Sequence, residues 1–517
     1  MKIVSVEQML SIEKSADSAG LFYEMMMHNA GCGVADWVIK NLITGGSVVG
    51  LVGSGNNGGD TLIALKILSD MGVRTIAFLV KQREEDPLVD AYLESGGQLV
   101  DFSQNDALKI FSASLQPNTI LLDGILGTGL KLPLRGSLQQ RMTEILNIVK
   151  NRPDVVTVAV DCPSGMDCDT GEVSEVVLPA THTLCMAAIK QGLLKFPGHS
   201  YTGKLHLIDI GLNDINAYLT SSIPIMINPD LAREYLPSRP DLGHKGTFGT
   251  CLVVAGSPSF VGAAYLTGKA SYLSGCGLVN VATVEKVYNI LAGQLIEAVW
   301  TILPNAKGAY DRNGTSILRD HINMVDSMIV GPGWGLQEAT LEFLAALLQD
   351  IPMNLPLLID ADGLKLLRQI DTWWKKLPHH VILTPHPGEM SILTGLEIEE
   401  IQSHRWEIAQ KYAKKWGVVL ILKGAVSVVA IPTEQIYINP ISDSALATAG
   451  SGDVLSGIIG GLLAQGVSTR RACILGTWLH GQAGKIARQK VGSDISVTAL
   501  DILSSIPTAF SQLINVA

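Results

Sequence analysis

Two successive series of short β-branched runs, each run separated from the next by a helix-length segment, organise this 517-residue chain. The first series comprises residues 48–52, 73–80, 119–122, 155–160 and 205–210. Strands that alternate with helices pair in parallel and are covered on both faces, so the expected class is α/β with doubly wound sheets. Between Asn213 and Lys245 the rhythm breaks at Pro224, Pro229, Pro237, Pro240 and Gly243, and it resumes at 250–255, 279–283, 328–330, 357–360, 381–384 and 418–422. Prolines and glycines at that density punctuate a chain rather than continue an element. Two α/β domains in series are therefore expected, 1–220 and 221–517. The length agrees, because single cores stop growing near about 250–300 residues.

Composition narrows the class further. With 47% hydrophobic and 17% charged residues the chain has much to bury, and 52 glycines supply tight turns of the kind that surround ligands. A formal charge of −10 without a Lys/Arg cluster speaks against nucleic acid, whose phosphates require one. Small-molecule chemistry is expected instead. The first residues lack the apolar core of a signal peptide, and Ser5-x-x-Gln8 reads as a helix capping box, so the expected location is cytoplasmic. The longest apolar run, 454–467, is interrupted by glycines and is too short to span a bilayer, so it reads as a buried helix and no membrane partner is expected. Seven cysteines are scattered, none in a Cys-x-x-Cys pair, and read as reduced buried thiols.

Gly53-Ser54-Gly55-Asn56-Asn57-Gly58-Gly59-Asp60 follows an apolar strand and opens a helical pattern, which meets the G-x-G-x-x-G requirement of a Rossmann-like dinucleotide site. The second strand, however, ends in Lys81-Gln82-Arg83, where such a site would carry an acid for the ribose. The polar density of Asn56, Asn57 and Asp60 at a helix N-terminus fits an anionic ligand, or alternatively a capped turn. Two more strand ends carry Asp123-Gly124-Ile125-Leu126-Gly127-Thr128-Gly129-Leu130 and Asp161-Cys162-Pro163-Ser164-Gly165-Met166-Asp167. Asn57, Asp123 and Ser164 offer hard oxygen donors, which suit an alkali or alkaline-earth cation rather than zinc.

In the second domain Thr448-Ala449-Gly450-Ser451-Gly452-Asp453 precedes an apolar helical run. Backbone N–H groups backed by a helix dipole can stabilise a transferring phosphoryl group, and Asp453 can serve as base for a substrate hydroxyl or simply as a first-turn acid. No Lys-Ser/Thr follows the last glycine, so this is not a Walker A loop.

The loop resembles the anion hole of the ribokinase-like superfamily. The ordered segments His244-Lys245-Gly246-Thr247-Phe248-Gly249, Gly331-Pro332-Gly333-Trp334-Gly335, Asp360-Ala361-Asp362-Gly363, Thr384-Pro385-His386-Pro387-Gly388-Glu389 and Lys423-Gly424-Ala425 make it similar to the ADP/ATP-dependent NAD(P)H-hydrate dehydratases. The first-domain segments resemble the NAD(P)H-hydrate epimerase domain that is fused ahead of it in bacterial repair enzymes. The resemblance implies substrates that are reduced nicotinamide cofactors hydrated on the ring, NADHX and NADPHX. For the epimerase it implies ligand contacts at Asn56, Asn57, Gly58, Gly59, Asp60, Gly127, Thr128, Gly129, Leu130, Lys131, Leu132 and Pro133. It further implies Asp161 as acid/base, and K+ near Asn57, Asp123 and Ser164. For the dehydratase it implies hydrate contacts at Ala263, Gly333 and His386, with Asp453 as base. Nucleotide contacts would come from Lys423, Gly424, Ala425, Val426, Ser427, Thr448, Ala449, Gly450, Ser451 and Gly452, and Mg2+ would accompany ADP or ATP, its water organised by Glu389. A homo-oligomer is also implied. Two departures stand out: Ser54 and Thr61 where the family often has proline and glycine, and Asp443-Ser444-Ala445-Leu446 in place of a glycine-methionine run beside the adenine. The rival reading is a small-molecule kinase with a non-catalytic N-terminal module.

Overall fold

A computed structural model describes residues 1–212, 214–218 and 223–515. The chain divides into two compact units, Met1–Ile223 and Pro224–Ala517, and the boundary expected near residue 220 lies outside the described residues. The expected capping box is formed, with Gln8 N donating to Ser5 Oγ at 3.1 Å and Ser5 N to Gln8 Oε1 at 2.8 Å.

The first unit is built on seven parallel strands: β1 (Ser47–Val52), β2 (Arg74–Leu79), β3 (Gln98–Asp101), β4 (Ile120–Gly124), β5 (Val156–Val160), β6 (His182–Met186) and β7 (Lys204–Ile208). Their spatial order is β3-β2-β1-β4-β5-β6-β7. The sheet is doubly wound because its strands are apolar on both faces: Val48, Val52, Ala77 and Ile120 join one buried cluster, while Val49, Leu51, Phe78 and Leu121 join the other. Period-2 alternation sends neighbours to opposite faces, and a helical layer covers each. The order reverses at β1 and β4, so a crevice opens beyond their C-terminal ends. Strands β3 and β6 were not anticipated. β3 is a half-exposed edge, and β6 begins with His182 and Thr183 rather than a β-branched run.

β6 and β7 also bring His182 Nδ1 within 3.0 Å of His206 Nε2, beside the Trp37 ring. Burial, and for both rings the charge of Lys204, hold these imidazoles below their usual 6.5, His206 at about 4. The unfolded chain then binds more protons than the folded one as pH falls from about 6.5 toward 4, so the pair costs stability in that window. Urea midpoints of the parent chain and a His206→Phe variant are expected to diverge between pH 7 and 4.5, with the parent losing more.

The second unit carries a ten-stranded sheet of β8 (Ile225–Met226), β9 (Thr250–Val254), β10 (Leu278–Val284), β11 (Val299–Leu303), β12 (Ser327–Val330), β13 (Leu357–Ile359), β14 (Val381–Leu383), β15 (Val419–Leu422), β16 (Ser427–Ala430) and β17 (Tyr437–Asn439). The order is β8-β17-β16-β15-β14-β13-β12-β9-β10-β11. The expected parallel pairing holds from β15 to β11, but β15/β16 and β16/β17 are antiparallel. The reason is loop length: residues 423–426 join β15 to β16, and a parallel crossover needs a dozen residues or more. The apolar run expected as a buried helix is one, α1 (Ser451–Ala464), packed against α2 (Val261–Leu273). Gly457 allows that approach, since a Cβ there would lie 2.3 Å from the Thr267 carbonyl oxygen. Among the described residues no helix is long and apolar enough to cross a membrane.

Candidate active sites

At the first crevice β1 leads through Gly53-Ser54-Gly55 into a helix, Asn56–Asp70. Gly53 is required there, because a Cβ would stand 1.9 Å from the Ile125 carbonyl oxygen. Arg83 Nη1 donates to the carbonyls of Gly53 at 2.7 Å and Gly55 at 3.0 Å. The basic end of β2, anomalous for a ribose site, thus anchors the loop. Asn57 lies under the loop that follows β4, with its amide donating to the carbonyls of Leu126, at 3.2 Å, and Val160. A Cβ on Gly127 would sit 2.5 Å from Asn57 Oδ1. In the same loop Leu130 and Leu132 pack on the cluster of Phe102 and Phe111, while Gly129, Lys131 and Pro133 are exposed and Thr128 half-buried.

Asp123, fully buried at the end of β4, accepts Ser164 Oγ at 2.6 Å and Ser164 N at 2.8 Å. Burial pushes its carboxyl up to about 6, opposed by the hydrogen bonds from Ser164 and Ile125. Asn57, at the start of the helix after β1, and Ser164, beyond β5, both bond Leu126 in the loop that follows β4, so the three expected oxygen donors lie about that loop. Among the described residues no three His, Cys, Asp or Glu side chains form a metal cluster.

Asp161, the first residue after β5, has φ 66°, a left-handed conformation that costs a non-glycine residue about 1–3 kcal/mol. Its Oδ1 accepts Met186 N at 2.9 Å and forms a buried ion pair with Lys190 Nζ. Glu13 and Asp60 complete this cluster, and both carboxyls are raised: Glu13 by burial, and Asp60, well above its usual range, by burial and then by the charge of Asp161. Sequence reading missed Lys190 and Glu13. A lysine at the end of the apolar stretch Ala187-Ala188-Ile189 was the available signal for the first.

In the second unit Gly450, at φ 86°, turns the loop into the N-terminus of α1, where Asp453 occupies the first turn. Burial, then the charge of Asp360, pushes the Asp453 carboxyl up to about 7. Asp360 ends β13 and accepts Lys423 Nζ at 2.9 Å and Ser456 Oγ, from α1, at 2.7 Å. Burial disfavours the Lys423 charge, but Asp360 and Glu389 outweigh it and hold the ammonium up. Lys423 Nζ lies 3.8 Å from Glu389 Oε2 and beside Gly452, whose added Cβ would be 3.2 Å away. Glu389 closes a capping box with His386, accepting His386 N at 2.9 Å while His386 Nδ1 accepts Gly388 N at 3.0 Å. The structure therefore gathers Asp453, Gly452, Lys423, Glu389 and His386 around Asp360. Gly333 and Ala263 touch one another, since a Cβ on Gly333 would sit 2.7 Å from Ala263 Cβ.

Gly424 packs on the Arg405 guanidinium, which donates to the carbonyls of Leu422, Lys423 and Val426 and so shapes the turn carrying Ala425, Val426 and Ser427. Ser451 N donates to Thr448 O at 3.3 Å, Ser451 Oγ meets His480 Nε2 at 3.0 Å, and Ala449 is exposed. Asp360 as a site member, Ser456, Arg405 and His480 were not singled out from sequence. The divergent Asp443-Ser444-Ala445-Leu446 run forms a short turn in which Asp443 caps Ala445 N and meets Arg488 at 3.3 Å.

A family model described as NAD(P)H-hydrate dehydratase matches residues 251–508, and one described as YjeF-related protein N-terminus matches residues 23–192. The bifunctional NAD(P)H-hydrate repair enzyme Nnr of Moorella thermoacetica is 35% identical over 99% of this chain and 97% of its own. The Escherichia coli K12 enzyme of the same name is 31% identical over 88% of this chain and 83% of its own. A crystal structure of the ADP/ATP-dependent NAD(P)H-hydrate dehydratase from Bacillus subtilis, co-crystallised with ATP/Mg2+, covers 57% of this chain and 100% of that one, at 28% identity and a TM-score of 0.49. The chain belongs to the family of bifunctional NAD(P)H-hydrate repair enzymes.

Proposed function

We propose that the chain repairs hydrated nicotinamide cofactors at two centres, interconverting R- and S-NAD(P)HX in residues 1–220 and dehydrating the S form at the expense of ADP or ATP in residues 221–517. The observation that carries the second activity is the Asp453 carboxyl, held at about 7 at the mouth of a helix N-terminus and beside the part-buried ammonium of Lys423. A base is most useful when its pKa lies near the working pH. Asp453 takes the proton of the hydrate hydroxyl as that oxygen accepts the phosphoryl group. First-turn N–H groups of α1, which have no partner within the helix, face the transferring charge, and Lys423 adds a fixed positive charge. Phosphate then leaves where hydroxide would not, the ring nitrogen's lone pair forming C=N, and loss of the neighbouring carbon's proton to solvent restores the ring double bond.

Mg2+ fits here as a nucleotide-borne ion: Asp360 and Glu389 offer carboxylates, and such an ion is ordinarily held by one or two carboxylates, water and phosphates. It would neutralise charge on the nucleotide. Ala263, Gly333 and His386 would bound the hydrate, and Lys423 to Ser427, with Thr448 to Gly452, the nucleotide. At the first centre, Asn56 to Asp60 and Gly127 to Pro133 would hold the cofactor, with Asp161 exchanging the proton. Potassium fits Asn57, Asp123 and Ser164, since a buried carboxylate with hydroxyl and amide oxygens nearby is a donor set for a weakly hydrated cation. A cytoplasmic homo-oligomer is proposed on the family likeness.

Incubating the protein with S-hydrate and ADP is expected to restore dihydronicotinamide absorbance; phosphorylation of a vitamin or sugar without such recovery would overturn the repair reading. Gly127→Ala, which crowds Asn57, is expected to raise the K+ concentration for half-maximal R-to-S conversion by about 10–100-fold, the usual cost of disturbing a group that orients a ligand.

A further inference from the structure

Lys190 is among the largest fully buried side chains, at 1% exposure, on a two-residue strand, Ile189–Lys190, paired in parallel with Ile3–Val4. A buried ammonium is tolerated only when paired and hydrogen-bonded. Its Nζ binds Asp161 Oδ1 and, at 3.0 Å, the Met186 carbonyl, while Met186 N binds the same Oδ1 at 2.9 Å. Both contacts on the carboxylate fall on Oδ1, so neither occupies Oδ2. Around the pair stand Glu13 from the helix Val6–Ser18, Asp60 from the helix Asn56–Asp70, and the buried thiols of Cys162, Cys168 and Cys185. The contact to Cys168 and then burial drive the Cys162 thiol upward, and burial drives up that of Cys185, so neither is a competing anion. Three carboxyl groups thus share one cation, and that cation is bonded to one of them.

We propose that Lys190 is a positioning residue of R-to-S interconversion: bonded to Asp161, it assigns that carboxylate the part of proton acceptor and leaves Asp60 as proton donor. The proposal rests on the epimerase reading of the first unit. Two carboxyl groups whose surroundings separate their protonation are the arrangement that acid and base chemistry on one carbon requires. Hydration of an enamine places the hydroxyl on the carbon next to the ring nitrogen. To invert that carbon, its C–O bond breaks, the Asp60 proton passes to the departing oxygen, which leaves as water, and the nitrogen lone pair forms C=N. Water then attacks the opposite face, a new C–O bond forms, its proton passes to Asp161 Oδ2, and nitrogen recovers its lone pair. Exchange with solvent removes the proton from Asp161 and returns one to Asp60, and no redox partner is needed.

The test uses the full chain with R-NADHX and no nucleotide, separating the epimers by chromatography between pH 5.5 and 9. In the parent, kcat/KM is expected to be bell-shaped in pH, falling on the basic side as Asp60, whose carboxyl burial raises, ionises. Lys190→Met should lower kcat by at least about 100-fold, the lower end of what a positioned base contributes, with KM within about threefold. Its acidic limb should move up by one pH unit or more. Lys190→Arg, which keeps the charge, should restore most of the rate. Lys190→Gln keeps a donor for Asp161 and the Met186 carbonyl, and serves if Lys190→Met does not fold by circular dichroism; the same limb shift is expected. Asp60→Asn should remove the basic limb. Parental kcat and an unmoved acidic limb in the neutral Lys190 variants, or a parental profile in Asp60→Asn, would overturn the assignment. Absence of interconversion in the parent would instead overturn the epimerase reading.

Discussion

Asp453→Asn is expected to bind ADP as the parent does and to lose dehydration of the S hydrate by about 10²–10⁴-fold, the share a positioned general base contributes. The side chain is nearly isosteric, so the loop Gly450-Ser451-Gly452 and the first turn of α1 should persist, and only the proton acceptor is removed. The pH profile follows from the same group. A base acts when ionised, and Asp453 titrates at about 7 in the folded chain, so kcat/KM should climb with pH through a midpoint near 7 and level off above it. Asp360→Asn should move that midpoint downward, because the Asp360 charge is the largest Coulombic contribution raising Asp453. Normal turnover by Asp453→Asn, read as recovery of dihydronicotinamide absorbance, would exclude it as the base. An unmoved midpoint in Asp360→Asn would show that burial alone sets the value.

How far the sequence carried depends on the range of the signal. Local patterns were legible: the β-branched runs of the first series became β1, β2, β4, β5 and β7, the Ser5/Gln8 box formed, and the glycine-interrupted apolar run became α1. What escaped was non-local. β3 is a polar edge, β16 and β17 follow loops too short for crossovers, and their antiparallel pairing is a consequence of chain length rather than residue type. The sites divide in the same way. Asn57, Asp123 and Ser164 announce themselves within glycine-rich strand ends, as do Gly450 and Asp453. Lys190 lies far from Asp161 in sequence, and Ser456 sits inside a helix that reads as core. Each is brought to a carboxylate only by the fold, through bonds to Asp161 and Asp360 respectively. The basic residues after β2 show the converse: Arg83, read as a missing ribose acid, is the anchor of the loop it seemed to spoil.

Lys423→Met is expected to destabilise the folded chain by roughly 3–5 kcal/mol without any ligand present, the cost of leaving the buried Asp360 carboxylate without its cation. Asp360, 1% exposed, and Glu389, 3% exposed, would then face Asp453 with no ammonium between them. In the parent, Lys423 and the bonds from Ser456 overcome burial and hold Asp360 below its usual 3.8, so that pairing contributes stability above about pH 4 and loses it below. In the variant the same burial is uncompensated and the carboxyl rises above 3.8, so its protonated form is the stable one and stability is lost as pH increases. The gap between parent and variant urea midpoints should therefore widen from pH 5 to pH 8, whereas loss of apolar packing alone would leave it constant. Nucleotide separates the two parts Lys423 plays. ADP at about 100 times its Kd should stabilise the parent by about 2.7 kcal/mol. If Lys423 also holds the nucleotide phosphates, the variant gains much less at the same concentration, so its deficit grows when ADP is added. A deficit that stays constant with ADP would confine Lys423 to keeping the carboxylates apart.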